Sequence, residues 1–463
     1  MDTSRAIVCD MTKEKILFIS FYAPPMLTIA AKRIGKLIKY FNEFGWETFL
    51  LTAAEDSYRY ADFKSNEDLT GCAHIKRIKP LFSFQRAIIG NTDDKKTKTN
   101  ILFLLKTKLR AFIDGYTQYF LNSGSSSVFR ITEWEENAVR LINKYNIKYV
   151  FVSYSPLFVF KLGIRLKKRF GEKIFLVADY RDLIIGNPSF TPNIFSKIIN
   201  RQVLSKADLA TTVSYGLAKK LSEQMLTFKN SKGRILVLRN GFDRKDHFSY
   251  QNELQYFAKS ERKAKIILAY TGSFYRGLRD PVSLFKVIKI LKEKGKLRPK
   301  DLVFVYCGKD FVYLDNLAKR FHIEEFVENK GLVPRNEAIR IQQESDLLVL
   351  FSRDNKDEEG ILSGKIYEYI ASHKPILLLG CGSEELKNII VSLPNSVCIE
   401  NNNIPIIEKF ILNIVKNGAR SDRNEVHPDK ILSIYNSYSY ENIVKNFIQQ
   451  LKTLKGQNDN GTS

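Results

Sequence analysis

Lys365 and Glu368 stand three residues apart in the segment 359–380, EGILSGKIYEYIASHKPILLLG. Residues at i and i+3 share a helix face, so an ammonium and a carboxylate would project together from the mouth of one short helix. That combination suits a ligand with a phosphate and a sugar hydroxyl, because the ammonium neutralises the one and the carboxylate accepts hydrogen bonds from the other. A polar loop carrying Glu359, Gly360, Ser363 and Gly364 runs into the helix, which is expected over 365–372, and Pro375 introduces the apolar strand 376–379. Free N–H groups at the start of a helix favour an anion. The same spacing also describes an ordinary surface ion pair.

Two further stretches carry chemistry. The apolar run 174–178 ends in Asp179, Tyr180, Arg181 and Asp182. An arginine between carboxylates can hold a phosphate and keep its neighbours ionised; structural ion pairing is the competing reading. The run IILAYTGS from position 266 opens the loop GSFYRGLRDP, in which Gly272 and Gly277 permit close backbone approach and Arg276 or Arg279 supplies charge. Gly308 and Lys309 follow the apolar run 302–307 in the same manner.

The elements that would position these groups alternate between strand and helix. The strand 15–20, the helix 32–44 and the strand 47–52 read as one βαβ unit, with Gly45 stopping the helix. Parallel strands need a helical crossover, and ligands of such sheets bind at the carboxyl ends of the strands. The loop FYAPPMLTIAA after the first strand is therefore a second contact candidate, or a structural turn built on its two prolines. Further strands are expected at 149–153 and 174–178, with helices at 132–145, 159–170 and 195–205. A polar stretch at about 244–265 marks a domain boundary. A second series of strands (266–273, 302–307, 327–330, 346–351) then leads to segment 359–380, and a last helix is expected over 439–454. The predicted organisation is a poorly ordered 1–12, a first domain over 13–245, a second over 246–436, a terminal helix over 437–455 and a polar tail over 456–463.

The chain has 463 residues, 44% of them hydrophobic, and a net charge of +23. Its size predicts two or three packed domains, and its charge predicts attraction to polyanions, whether nucleic acid, anionic lipid or a phosphorylated substrate. The five cysteines (Cys9, Cys72, Cys307, Cys381, Cys398) are scattered and lack CxxC spacing, so neither a disulfide framework nor a zinc site is expected. Cys307 and Cys381 follow apolar runs and read as packed thiols, in keeping with a reducing cytoplasm. The N-terminus does not read as a signal peptide, and no apolar run nears the ~20 residues of a membrane span. Over 94–121 a helical period places Ile101, Leu104, Leu105, Leu109, Phe112 and Ile113 on one side, flanked by Lys98, Lys106, Lys108 and Arg110. Such a helix either lies in an anionic lipid interface or packs on the domain core.

The order of motifs resembles the family-4 glycosyltransferases: VADYRDL, LRNGFD, YTGSFYRGLRDP, and GLVPRNEAIRIQQESDLLVLF followed by SGKIYEYIASHKPILLLG. The resemblance covers roughly 15–454. It implies an α/β GT-B fold of two Rossmann-like domains with parallel sheets facing across a cleft, and a retaining, metal-independent transfer from a nucleotide diphosphate sugar. It implies that Glu368 binds the nucleotide ribose, that Lys365 and Arg276 bind the diphosphate with Arg279 as a further cation, and that Gly272, Gly308 and Gly331 give close backbone approach. Lys309 would lie beside the base, and Gly364 would open the helix. The family's two glutamates have seven residues between them, which would need a glutamate at 360; Gly360 stands there, and Glu359 is the neighbouring donor-sugar candidate. Ala30 and Ala31 stand where many members have glycines. Asp179, Arg181 and Asp182 match the segment near the acceptor and are the catalytic candidates.

The reading is a glycosyltransferase acting in bacterial surface polysaccharide synthesis on a lipid-linked oligosaccharide, cytoplasmic and peripheral on the inner face of the plasma membrane. It would use no cofactor beyond the donor, no metal and no nucleic acid. The competing readings are a GT-B nucleotide-sugar 2-epimerase, which needs no acceptor, and a basic polyanion-binding protein, against which stands the lack of interleaved basic and aromatic RNA-binding motifs.

Overall fold

The structure is a computed structural model and describes residues 13–57, 60–80, 87–88, 105, 109, 112, 116, 130–187, 192–227, 233–247, 265–419 and 428–460. The expected poorly ordered 1–12 lies outside these residues, as does most of the polar boundary at 244–265. Of the basic helix expected over 94–121, Leu105, Leu109, Phe112 and Tyr116 are described, and all four are helical and exposed.

The chain divides into two compact units. The first comprises Met1–Val213, Ala218–Leu238 and Val444–Ser463, and the second Ser214–Leu217 and Arg239–Ile443.

In the first unit the strands are β1 (Lys15–Ser20), β2 (Glu47–Ala53), β3 (Tyr60–Ala61), β4 (His74–Ile78), β5 (Ala87–Ile88), β6 (Tyr149–Tyr154), β7 (Phe175–Tyr180), β8 (Leu209–Thr212) and β9 (Arg234–Val237). Seven of them form one sheet in the order β4-β2-β1-β6-β7-β8-β9, while β3 and β5 pair separately. Every pairing in the large sheet is parallel. Parallel sheets are covered on both faces, and the central strands are accordingly apolar throughout: every residue of β6 and β7 is buried. The helix Ile29–Glu43 begins at Thr28, whose hydroxyl accepts from the Ala31 N–H at 3.1 Å. Gly45, at φ +83°, turns the chain into β2. The aromatic centre of this unit is Phe18, packed at 5.4 Å on Phe41 and 5.2 Å on Phe151. The end of the last helix, Tyr440–Asn460, adds Phe447 at 6.3 Å from Phe41.

The second unit holds β10 (Ile266–Thr271), β11 (Leu302–Cys307), β12 (Val327–Asn329), β13 (Leu347–Phe351), β14 (Ile376–Leu379) and β15 (Val397–Ile399) in the order β12-β11-β10-β13-β14-β15, again wholly parallel. Successive residues of each strand face opposite sides. Leu268, Phe304, Val349 and Leu377 enter one core, and Ala269, Val305, Leu348 and Leu378 enter the other with Ile366, Tyr369 and Ile370. Both sheets run outward in two directions from their first strand, β1 or β10. The crevice where that direction reverses, at the carboxyl ends of the strands, is where such sheets bind ligands.

The cysteine expectation is corrected here. Cys381 is not a packed thiol but is bonded to Cys398, with an S–S distance of 2.08 Å and Cα atoms 6.1 Å apart. The two cysteines lie 17 residues apart in sequence, and only the parallel pairing of β14 with β15 brings them together. Cys307 is a buried free thiol, as expected, and burial pushes its pKa up to about 11.

Candidate active site

At the carboxyl edge of the second sheet, three strand ends are tied through glycines. The Gly272 N–H donates to the Cys307 carbonyl at 2.6 Å, and the Gly308 N–H donates to the Gly331 carbonyl at 2.8 Å. Gly272 has φ +132°, and a Cβ there would occupy the position of Lys365 Cε. A Cβ on Gly308 would collide with the Gly272 carbonyl and with the Tyr306 hydroxyl. Glycine is thus required at 272 by conformation and at 308 by space.

Lys365 begins the helix Lys365–Ala371, one residue shorter than expected, with Gly364 as its N-cap in helical conformation and no side-chain cap. A seven-residue helix adds little dipole of its own, so the anion-attracting group here is the Lys365 side chain. Its Nζ lies 5.4 Å from the centre of the Tyr270 ring. Among the described residues no carboxylate lies within ion-pair distance of it. Burial holds the Lys365 ammonium below the ordinary lysine pKa of 10.5; the Arg279 charge lowers it further, while Glu368 and Asp310 oppose the shift.

Glu368, one turn on, lies on the wall of a cavity of about 220 Å³ together with Gly272, Gly308, Arg335 and Gln342. Its Oε1 is 3.6 Å from Arg335 Nη2, which also reaches Asp246 at 3.4 Å. The loop after β10 places the other cations. Arg276 is exposed, stands 5.0 Å over the Tyr313 ring and pairs with Asp310 at 3.4 Å. Arg279 pairs with the buried Glu358 and lies 5.4 Å from the Tyr275 ring centre. Lys309 is exposed.

Gly331 closes the turn after β12 at φ +62°, and its N–H donates to Asn329 Oδ1 at 3.1 Å. Gly272, Gly308 and Glu368 therefore line the cavity itself, and Lys365 lies against Gly272. Glu359 faces elsewhere: its Oε2 accepts from the Glu384 N–H, at the start of the helix Glu384–Ser392, at 2.8 Å.

At the carboxyl edge of the first sheet, the register aligns Ser153, Asp179 and Thr211 across β6, β7 and β8. Side chains in register share a face, and both hydroxyls donate to Asp179 at 2.8 Å. Arg33, from the helix Ile29–Glu43, adds Nη2 to Asp179 Oδ1 at 2.8 Å and Nε to Oδ2 at 3.3 Å, and it also donates to the Leu238 carbonyl. Asp179 is wholly buried and has four donors. Arg181 donates to Ser153 Oγ and to the Ser155 carbonyl, both at 3.2 Å, and lies 5.4 Å from the Tyr22 ring centre. Burial lowers its pKa. Asp182 is exposed. Of the two carboxylates in the DYRD segment, one is committed to the fold and one is open to a ligand. Ala30 and Ala31 are buried in the first turns of the helix after β1.

No family model matches the sequence, and no curated protein matches it. Solved structures do match over almost the whole chain. A glycosyltransferase from Rickettsia africae is 15% identical, with 96% of this chain and 98% of that one covered and a TM-score of 0.56. Sucrose-phosphate synthase from Thermosynechococcus elongatus is 11% identical, covering 96% and 100%, with a TM-score of 0.59. HepE of Anabaena, in complex with UDP and glucose, is 12% identical, covering 95% and 100%, with a TM-score of 0.53. The fold is GT-B.

Within this GT-B chain, the departure at position 360 has a physical cause. Gly360 is buried at φ +85°, its carbonyl accepts from Ser214 Oγ at 2.7 Å, and a Cβ would stand 2.7 Å from the Leu217 nitrogen. Gly216 presses on it from the other side, so two glycines pack backbone to backbone. Glu358, which is buried and paired with Arg279 and Arg353, was not singled out from the sequence. Nor were Thr271, Arg335 and Gln342, although Arg335, Ala338, Ile339 and Gln342 follow the spacing of one helix face, which is the signal that could have grouped them.

Four substitutions test these assignments. Gly360→Glu, which places a glutamate at the position where the resemblance expects one, is expected to destabilise the chain by several kcal/mol in chemical denaturation rather than to improve function; unchanged stability would refute the steric account. Asp179→Ala is expected to cost about 3–5 kcal/mol, because it leaves the Arg33 charge buried without its partner, whereas Asp182→Ala should change stability by less than about 0.5 kcal/mol. Lys365→Met carries a signed expectation. A lysine whose folded pKa is lowered binds fewer protons folded than unfolded, so its charge opposes folding as pH falls, and the empty variant should melt no lower than the parent. Affinity for a diphosphate should drop about 10- to 100-fold in the variant. In the parent it should fall as pH rises through the lowered lysine pKa, and that pH dependence should vanish in Lys365→Met.

Proposed function

We propose that the second unit binds a nucleotide diphosphate sugar and that the chain is a retaining glycosyltransferase. The observation that carries this reading is the cavity at the carboxyl edge of β10 and β11, with Glu368 on its wall and the half-buried Lys365 against Gly272. In this reading Glu368 accepts hydrogen bonds from ribose hydroxyls. Lys365 and the Arg276 and Arg279 guanidinium groups neutralise the diphosphate, on which negative charge builds as the bond to the sugar breaks. A half-buried ammonium fixed against Gly272 is already in place for that charge and needs little rearrangement as it forms. The sugar passes to an acceptor hydroxyl, and in this reading Asp182, the exposed carboxylate of the DYRD segment, takes its proton.

The acceptor in this reading is a lipid-linked saccharide of bacterial surface polysaccharide synthesis, met at an anionic membrane. No helix among the described residues is long and apolar enough to cross a membrane. Leu105, Leu109, Phe112 and Tyr116 are each helical, have the i, i+4, i+7 and i+11 spacing of one helix face, and are 60, 49, 72 and 46% exposed. An exposed apolar stripe in a sequence that also carries Lys98, Lys106, Lys108 and Arg110 supports contact with anionic lipid.

The deciding experiment incubates the purified chain with membranes and a panel of UDP, GDP, ADP and CMP sugars and follows free nucleotide. Release that requires the membranes and is lost in Lys365→Met is expected; a folded sample that turns over no donor would refute the enzyme reading. Conversion of the donor sugar without any acceptor would instead indicate an epimerase. For the membrane part, Leu105→Ser with Phe112→Ser should abolish cosedimentation with phosphatidylglycerol vesicles and leave the melting temperature unchanged.

A further inference from the structure

The cavity contains a polar side chain that the diphosphate and ribose contacts do not use. Gln342 lies near the end of the helix Arg335–Glu344, on the face whose other members, Arg335, Ala338 and Ile339, also line the cavity. It is only 1% exposed. Its Nε2 donates to Thr271 Oγ1 at 2.7 Å, and its Oε1 has no hydrogen-bond partner among the described residues. Turning the amide over would exchange the two atoms and still leave one polar end unmatched. Thr271 is itself anchored, its N–H donating to the Tyr369 hydroxyl at 3.0 Å, so the amide is fixed from below.

A buried amide oxygen without a donor weakens the empty protein, and such groups in native structures call for an explanation. Here the surroundings supply one. Between Glu368 with Arg335 at one end and Gln342 with Thr271 at the other, the lining is mostly apolar or uncharged: Cys307, Leu332, Val333, Ala338 and Ile339. Apolar walls with one polar group suit a flat heterocycle, whose faces are apolar and whose edge carries hydrogen-bonding groups. A ribose or phosphate presents polar groups all round and has no use for such walls.

We propose that Gln342 reads the edge of the donor's nucleobase, its amide oxygen accepting a base N–H, and so sets which base this cavity takes. The inference rests on the nucleotide-sugar reading of the cavity and adds the residue that discriminates among donors. Discrimination of this kind is strong because the wrong base leaves a buried polar group unpaired.

The test is calorimetric titration of the full chain with UDP, GDP, ADP and CDP, and with inorganic pyrophosphate, which has no base. In the parent one base should bind most tightly. Gln342→Met, close to isosteric and lacking the amide, should lower that affinity about tenfold, compress the spread among the four bases and leave pyrophosphate binding unchanged. Its melting temperature without ligand should equal or exceed the parent's. The parent alone supplies a second test that no folding defect can spoil: methylating the ring N–H of the preferred base, or its exocyclic amine where the ring carries none, should weaken binding about tenfold. If base preference survives both the substitution and the methylation within twofold, the assignment of Gln342 is wrong while the nucleotide reading stands. If no nucleoside diphosphate binds the parent, the nucleotide reading fails and this inference fails with it.

Discussion

Parallel pairing is the constraint from which the rest of this molecule follows. Every ladder in the two large sheets is parallel. Parallel strands return only through a crossover, which buries both sheet faces under helices and delivers every strand terminus to one edge. Chemistry-bearing residues that are far apart in sequence therefore come together there. Gly272, Gly308 and Gly331 end three neighbouring strands, and Lys365 opens the helix before the fifth strand of the same sheet. Ser153, Asp179 and Thr211 meet by the same rule in the other unit. At such an edge, space is the scarce quantity: the glycines at 272 and 308 are where a side chain would fill it.

What separates the two edges is how completely their polar groups are satisfied. Asp179 is ringed by four donors and ties a helix to three strands, so its charge is spent on the fold. Among the described residues Lys365 and Gln342 show the opposite balance: a half-buried cation with no carboxylate within ion-pair distance, and a buried amide oxygen with no donor. Both raise the free energy of the empty second unit. A ligand carrying a phosphate and an N–H would relieve both at once, which makes the cost of the empty state a source of selectivity in the bound one.

Most strands of the two large sheets were legible in the sequence, because short apolar runs alternate there with amphipathic stretches, but β4 and β15 were not. Lys365 and Glu368 were legible as a pair because they sit one turn apart on one helix. The partners that fix a residue's role were not, because they lie far along the chain: Arg33 and Asp179 are 146 residues apart, and Thr271 and Gln342 are 71. Sequence spacing therefore put Asp179 and Asp182 on an equal footing, and only packing separates the committed carboxylate from the open one. The disulfide was hidden for the same reason, since a spacing of 17 residues acquires meaning only once β14 and β15 pair.

Position 360 shows how packing can overrule a motif. The loop before the Lys365–Ala371 helix brings its backbone against Gly216, an approach that only glycine allows on both sides. Once that contact exists, a glutamate at 360 has no room, and its neighbour Glu359 turns to cap the Glu384–Ser392 helix. The carboxylate beside the loop cations is then Glu358, buried against Arg279 and Arg353. A carboxylate closing on Arg279 removes part of the positive charge that the loop after β10 would otherwise offer a diphosphate. The burden of neutralising that ligand shifts accordingly to Lys365, which has no carboxylate within ion-pair distance among the described residues.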